Sequence, residues 1–286
     1  VRRERIAAAP ISWGVCEVPG WGHQLTPDRV LREMTELGLA ASEFGPDGFL
    51  PGPLLAAYGV TAVGGFVPAV LHDPGHDPLP DVRAALDRFT AAGARTLVLA
   101  AATGRDGYDE RPQVDAAGWR TLLGRLDEIA ALAAALGVTA ALHPHVGTVV
   151  EGPAEVDRVL DGSGIGLCLD TGHLLVGGTD PVALAQRAAE RVAHVHLKDV
   201  HAPAADAVRT GRTAYTAAVA AGLYRPLGAG DLDLPSLLTA LEGAGYAGWY
   251  VMEQDTVLDA PPPPGAGPVA DVRTSLAWLR SWTPKP

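Results

Sequence analysis

Asp170, His196 and Glu253 close three apolar runs of this 286-residue chain, in the stretches LCLDTGH, HVHLKDV and WYVMEQD. Two carboxylates and an imidazole, with no thiolate among them, are a donor set for a divalent cation. Mn²⁺ or Co²⁺ suits such a set best, with Mg²⁺ and Zn²⁺ inside its range. Without a cation, two carboxylates aimed at one point repel, and one of them keeps its proton. Histidines gather in the same places: six of the nine lie between residues 143 and 201. His143 and His145 end the run TAALHPH, and Lys198 follows His194 and His196. Residues two apart on an extended chain face the same side. His143 therefore goes with His145, His194 with His196 and Lys198, and Glu253 with Asp255. Each has an ordinary structural role open to it. A buried histidine can be satisfied locally, Asp170 can cap the turn before Thr-Gly, Lys198 and Asp199 can pair on the surface, and Cys168 can be inert core. Their recurrence at the same end of consecutive runs is what points to a site.

The elements that must position these residues are eight apolar runs, at 6–14, 41–45, 61–71, 96–102, 139–145, 165–173, 192–200 and 249–255. Most are continuously apolar, as a parallel sheet covered on both faces requires. Amphipathic runs separate them, at 26–38, 115–137, 152–162, 180–191, 233–246 and 268–282. The first has Thr26 to cap it, Pro27 in its first turn and Gly38 to stop it. Eight βα pairs and this length predict an α/β protein, a (β/α)8 barrel forming a single domain over 1–286. In that fold the active site lies at the C-terminal ends of the strands, where the polar residues fall. A doubly wound open sheet is the structural alternative, weakened because no Gly-rich phosphate loop follows the first run. A long excursion at 201–230 follows the seventh run and is expected to hold a helix around 206–222; connections of this length tend to be lids or interfaces. The Pro-rich stretch 259–267 reads as a stiff spacer.

A net charge of −11 leaves no basic stripe for a nucleic acid or an anionic membrane surface. Two cysteines, Cys16 and Cys168, make no disulfide framework. No apolar run approaches the length of a membrane span, and the basic start VRRER leads into a first strand rather than a leader. The expected location is the cytoplasm.

LCLDTGH, HVHLKDV and WYVMEQD, in this order, resemble the xylose-isomerase-like TIM-barrel superfamily of sugar isomerases and epimerases. APISWG, EFGPDGFLP, HPHVGTVVE and PLGAGDLD are similar to the inosose (2-keto-myo-inositol) dehydratase branch. The likeness runs over essentially the whole chain. It implies a divalent metal held at Asp170, His196, Glu253 and a fourth place at the end of the fifth strand. That place is usually a glutamate; here it is His143. Either His143 ligates and Glu151 binds substrate, or Glu151 folds back to the metal and His143 supports the ligands or binds substrate. The resemblance further implies proton transfer at His145, a substrate-side role for His173, and a cationic group near substrate oxygens at Lys198.

The implied reaction is dehydration of a polyhydroxylated cyclic ketone through an enolate. His145 is the expected base, with Glu43 or Glu151 behind it, and His173 or Lys198 the expected acid. Trp13 is expected to pack on the ring of the substrate. The same machinery suits an epimerase or isomerase of a sugar, and a non-catalytic barrel subunit is the reading from another class. The expected partner is a small polyol ketone or sugar, and the expected assembly a homodimer or tetramer.

Overall fold

The computed structural model describes residues 1–283. Eleven strands are formed: β1 (Ile6–Ala8), β2 (Ala41–Ser42), β3 (Thr61–Ala62), β4 (Gly64–Ala69), β5 (Thr96–Ala101), β6 (Thr139–Leu142), β7 (Gly166–Asp170), β8 (Val192–Leu197), β9 (Asp199–Val200), β10 (Tyr224–Arg225) and β11 (Tyr250–Met252). Nine of them make one sheet in the order β3-β2-β1-β11-β8-β7-β6-β5-β4, and every pairing in it is parallel. Its two ends, β3 and β4, are halves of one run that breaks at Val63. The Val63 amide donates to Ser42 on the β2 side, and its carbonyl accepts from Arg95 and Thr96 on the β5 side. With the Gly64 carbonyl accepting from the Phe44 amide at 3.0 Å, Val63 joins the ends of the sheet into a ring, the predicted barrel of eight strand runs.

Between and after the strands lie α1 (Pro27–Glu36), α2 (Gly52–Ala57), α3 (Leu79–Ala91), α4 (Ala116–Ala135), α5 (Pro153–Gly162), α6 (Thr171–Gly177), α7 (Pro181–Ala188), α8 (Ala202–Arg209), α9 (Tyr215–Ala220), α10 (Leu234–Gly243) and α11 (Pro268–Ser281). Thr26 caps α1 as expected, its hydroxyl accepting from the Arg29 amide. Among the described residues, five helices lie outside the amphipathic runs named above: α6 within a strand run, α8 and α9 in the excursion, and α2 and α3. α2 has six residues, too few to show a period. α3 is legible, because it buries Val82, Ala85, Leu86 and Phe89 at helical spacing.

The excursion holds two helices instead of one. Gly211, at φ +69°, turns the chain between α8 and α9. β9 and β10 then pair antiparallel beside the barrel mouth. The Pro-rich stretch is strapped to α1: the Arg29 guanidinium donates to the carbonyls of Pro262 and Pro263 at 3.1 and 2.9 Å. Among the described residues no helix is long and apolar enough to cross a membrane.

Candidate active site

The polar residues at the strand ends are buried together. Asp170 is the last residue of β7, and its two oxygens do different work. Oδ1 accepts from the amides of Gly172 and His173, both at 2.8 Å, and so caps α6. Oδ2 is left facing the barrel axis. Around it stand His143 Nε2 at 3.3 Å and His196 Nδ1 at 3.6 Å, and Glu253 Oε2 lies 3.3 Å from the same His196 nitrogen. Asp170, His196 and Glu253 offer ligand atoms within 4.8 Å of one another, and so do His143, Asp170 and His173.

Several of these atoms lack partners. Both ring nitrogens of His143, Asp170 Oδ2 and His196 Nδ1 are buried without a hydrogen bond. Orphaned donors and acceptors at this depth are costly unless something satisfies them. The cluster is also electrostatically lopsided. Glu43, Asp170, Glu253 and Asp255 are all buried, and the one lysine among them is Lys198. Burial raises the Asp170 carboxyl, but Lys198 and the neighbouring histidines outweigh it and hold Asp170 well below the usual carboxylate range. Burial likewise opposes the charge on Lys198, and Asp170, Asp255 and Glu253 restore it. A divalent cation among these atoms would satisfy the orphans and offset the excess negative charge, so the residues present fit one.

His196 also shows how such a ligand is aimed. Its second nitrogen, Nε2, donates to Glu43 Oε1 at 2.9 Å, and His194 Nε2 donates to the same oxygen at 2.7 Å. This arrangement leaves Nδ1 of His196 without a hydrogen bond beside Asp170 and Glu253, as in metal sites where a carboxylate fixes the ligating imidazole. Glu43 lines the cavity, but with Oε1 engaged twice it positions His196 rather than standing free as a base.

His145 is held in the opposite sense. Its Nδ1–H donates to the Val146 carbonyl at 2.7 Å, which leaves Nε2 with a lone pair at the cavity wall. Burial, then the charges of His143 and Lys198, push its pKa well below the ordinary value, so the ring is neutral. Behind it His173 stacks at 3.6 Å between centroids. His173 Nε2 accepts from Lys198 Nζ at 2.9 Å, so the ring braces the lysine and is not among the cavity-lining residues. Lys198 is, with Asp255 Oδ1 at 2.7 Å and Glu253 Oε2 at 3.2 Å from Nζ.

Local sequence explains this packing. In the stretch DTGH, the Thr171 hydroxyl donates to the Lys198 carbonyl at 2.6 Å and accepts its amide at 2.8 Å. A Cβ at Gly172 would lie 2.8 Å from Lys198 Cβ and 2.6 Å from the Tyr224 ring. The glycine is the space through which the lysine reaches the site.

Two expectations and one ordinary structural alternative are corrected. Trp13 is not at the mouth: its ring is fully buried in the core, and its Nε1 donates to Glu33 at 2.9 Å. The tryptophan on the cavity wall is Trp21. Glu151 does not fold back to the donor set. It accepts from the Gly147 amide at 2.7 Å, lies 3.5 Å from Arg111, and is absent from the cavity lining. Of these two residues it is His143 that stands beside Asp170 Oδ2, with Nε2 at 3.3 Å. Lys198 and Asp199 are not a surface pair either. Asp199 is buried, and its carboxylate accepts the amides of Val200, Gly228, Gly230 and Leu232.

Sequence reasoning missed most of the wall. Phe66, Tyr108 and Tyr215 line the cavity with Trp21. Tyr215 comes from the excursion and donates to Asp255 Oδ2 at 2.9 Å. The length of that excursion was its only signal.

A parallel barrel with carboxylates and imidazoles converging at the C-terminal ends of its strands defines a class of metal-site barrels acting on small polar substrates. Residues 54–282 match the family described as xylose isomerase-like TIM barrel, and the chain belongs to it. It is 35% identical over 268 residues to the rhizopine catabolism protein MocC of Rhizobium meliloti, covering 88% of this chain and 81% of that protein. It is 32% identical over 268 residues to an inosose dehydratase of Geobacillus kaustophilus, covering 88% and 87%. Among solved structures, the IolI protein with a bound zinc atom superposes with a TM-score of 0.68 at 14% identity, covering 96% of each chain.

Proposed function

We propose that the protein is a metal-dependent dehydratase acting on a polyhydroxylated cyclic ketone such as 2-keto-myo-inositol. The observation that carries the reading is His145: its Nδ1 proton is committed to the Val146 carbonyl, and its Nε2 is a neutral base on the wall of the cavity that holds the donor set. The resemblance to named inosose dehydratases supports the substrate class. A divalent cation held by His143, Asp170, His196 and Glu253 supplies Lewis-acid polarisation of the substrate carbonyl when bound. The mixed oxygen and nitrogen donors favour Mn²⁺ or Co²⁺, and the zinc of IolI keeps Zn²⁺ in play.

His145 Nε2 takes the proton from the carbon next to the carbonyl. Lys198 Nζ, at the cavity wall, gives a proton to the β-hydroxyl as its C–O bond breaks, so that water leaves. The resulting enol ketonises to a dione. His173 holds Lys198 in place, Glu43 holds His196, and Trp21, Phe66 and Tyr108 keep bulk water from the enolate. The enzyme works in the cytoplasm as a homodimer or tetramer, on a small molecule and not on a nucleic acid.

The test is to load the protein with Mn²⁺, Co²⁺, Mg²⁺ or Zn²⁺ and follow 2-keto-myo-inositol in D₂O by proton NMR. Loss of water with a new dione signal is the expected result. Exchange of the α-proton without loss of water would replace this reading with an epimerase or isomerase. No exchange on this ketone or on other ketoses would make the barrel a non-catalytic subunit or a catalyst for another substrate.

A further inference from the structure

The catalytic cavity, about 70 Å³, shares part of its wall with a neighbour. Glu17, Gly45, Pro46 and Phe66 line it and also line a second hollow of about 910 Å³. The hollow follows from the break at Val63. Beyond Gly64, whose carbonyl accepts from the Phe44 amide, β4 has no strand partner on the β2 side among the described residues, and α2 and α3 flank the space. Gly65 forms part of the lining without a side chain, and a Cβ there would lie 3.2 Å from both Phe44 and Phe89. Those two rings stack at 5.0 Å between centroids, and Val67 and Pro53 line the same space. Phe66 stands between the two cavities. Its ring centroid is 6.0 Å from that of His143 and 5.7 Å from that of His145, and the side chain is only half-buried.

We propose that this hollow is a substrate subsite. The keto-polyol bound at the donor set carries an aryl or alkyl substituent on a hydroxyl remote from its carbonyl, and the substituent lies past Phe66 against Phe44, Val67 and Phe89. Aromatic and aliphatic walls select an apolar group, and stacked rings favour an aryl one. The shared wall of Glu17, Gly45, Pro46 and Phe66 is what assigns the hollow to the substrate: it adjoins the cavity that holds the donor set. The proposal rests on the preceding reading for the ring that enters the donor set.

The experiment compares two probes, 2-keto-myo-inositol and its mono-O-benzyl ether, on the metal-loaded protein. Calorimetry reads Kd and proton NMR reads turnover. The proteins are the native chain, Ala84→Trp on α3 and Ala56→Trp on α2, both substitutions at exposed positions lining the hollow. The ether is expected to bind about tenfold more tightly than the parent ketone, from burial of the phenyl group. In either variant that ratio is expected to collapse toward one. A ratio near one in the native chain, or a tenfold ratio that survives both substitutions, overturns the subsite. Dehydration of the parent with exclusion of the ether also overturns it and leaves the proposed reaction standing. Tighter ether binding that both variants abolish, with no turnover of either probe, keeps the subsite and removes the reaction.

Discussion

Two histidines two residues apart carry different duties because their second nitrogens meet different partners. His143 has both nitrogens free at the donor set, whereas His145 has one committed to a backbone carbonyl. His145→Ala is expected to lower kcat by about a hundredfold or more while metal content, read by elemental analysis, stays at the native level. Loss of the metal together with activity would make His145 a ligand instead. Glu43→Gln tests the positioning of His196. It should weaken metal affinity by about 10- to 100-fold, measured by competition with a chelator, without removing a ligand. At this scale the sequence was informative where a residue type is rare at a strand end, as for Asp170, His196 and Glu253. It misled where the choice depended on which way a ring turns. Trp13 and Trp21 look alike on paper, and only the hydrogen bond from Trp13 to Glu33 and the burial of its ring separate them.

The elements that present these residues are held by a few polar clamps. Arg111 donates to both oxygens of Glu155 at 2.9 Å and reaches the Thr148 carbonyl, so it ties the turn after His145 to the start of α5. Burial raises the Glu155 carboxyl, but the Arg111 bond and the backbone amides outweigh it and hold its pKa below the ordinary value. A carboxyl lowered in the folded state adds stability above its unfolded pKa, and that stability is lost as pH falls through the folded value. Arg111→Met is therefore expected to cost about 1 kcal/mol in urea denaturation at pH 7, and the gap to the native protein should close as the buffer is taken below pH 4. A gap that is constant with pH would mean that lost packing, not charge, is being measured. The strand runs were readable from their apolar composition, yet several were drawn too long. The run 165–173 changes into α6 at Thr171, because Asp170 stops the strand and caps the helix with one side chain. The single helix expected around 206–222 was split by Gly211, a residue whose positive φ no periodicity reveals.

At the level of the whole molecule, the buried carboxylates and the cation they fit link site and stability. Stripping the metal with a chelator is expected to lower Tm, and restoring it at about 100 times its Kd should return ~2.7 kcal/mol. Differential scanning with graded metal would show this as a Tm that climbs with concentration; a flat Tm would mean that the metal does not bind the folded chain in preference to the unfolded one. The barrel itself was legible from eight runs and their spacing. The break at Val63 was not, because it depends on which neighbour each half of a single run chooses. Ring closure has its own order in time. β11 pairs Tyr250 with Ile6 on one side and Val195 on the other, so the last barrel strand to leave the ribosome joins the first. The same strand delivers Glu253. A nascent chain halted before that point carries His143, Asp170 and His196 without Glu253, so the proposed donor set is assembled only once the ring of strands can close.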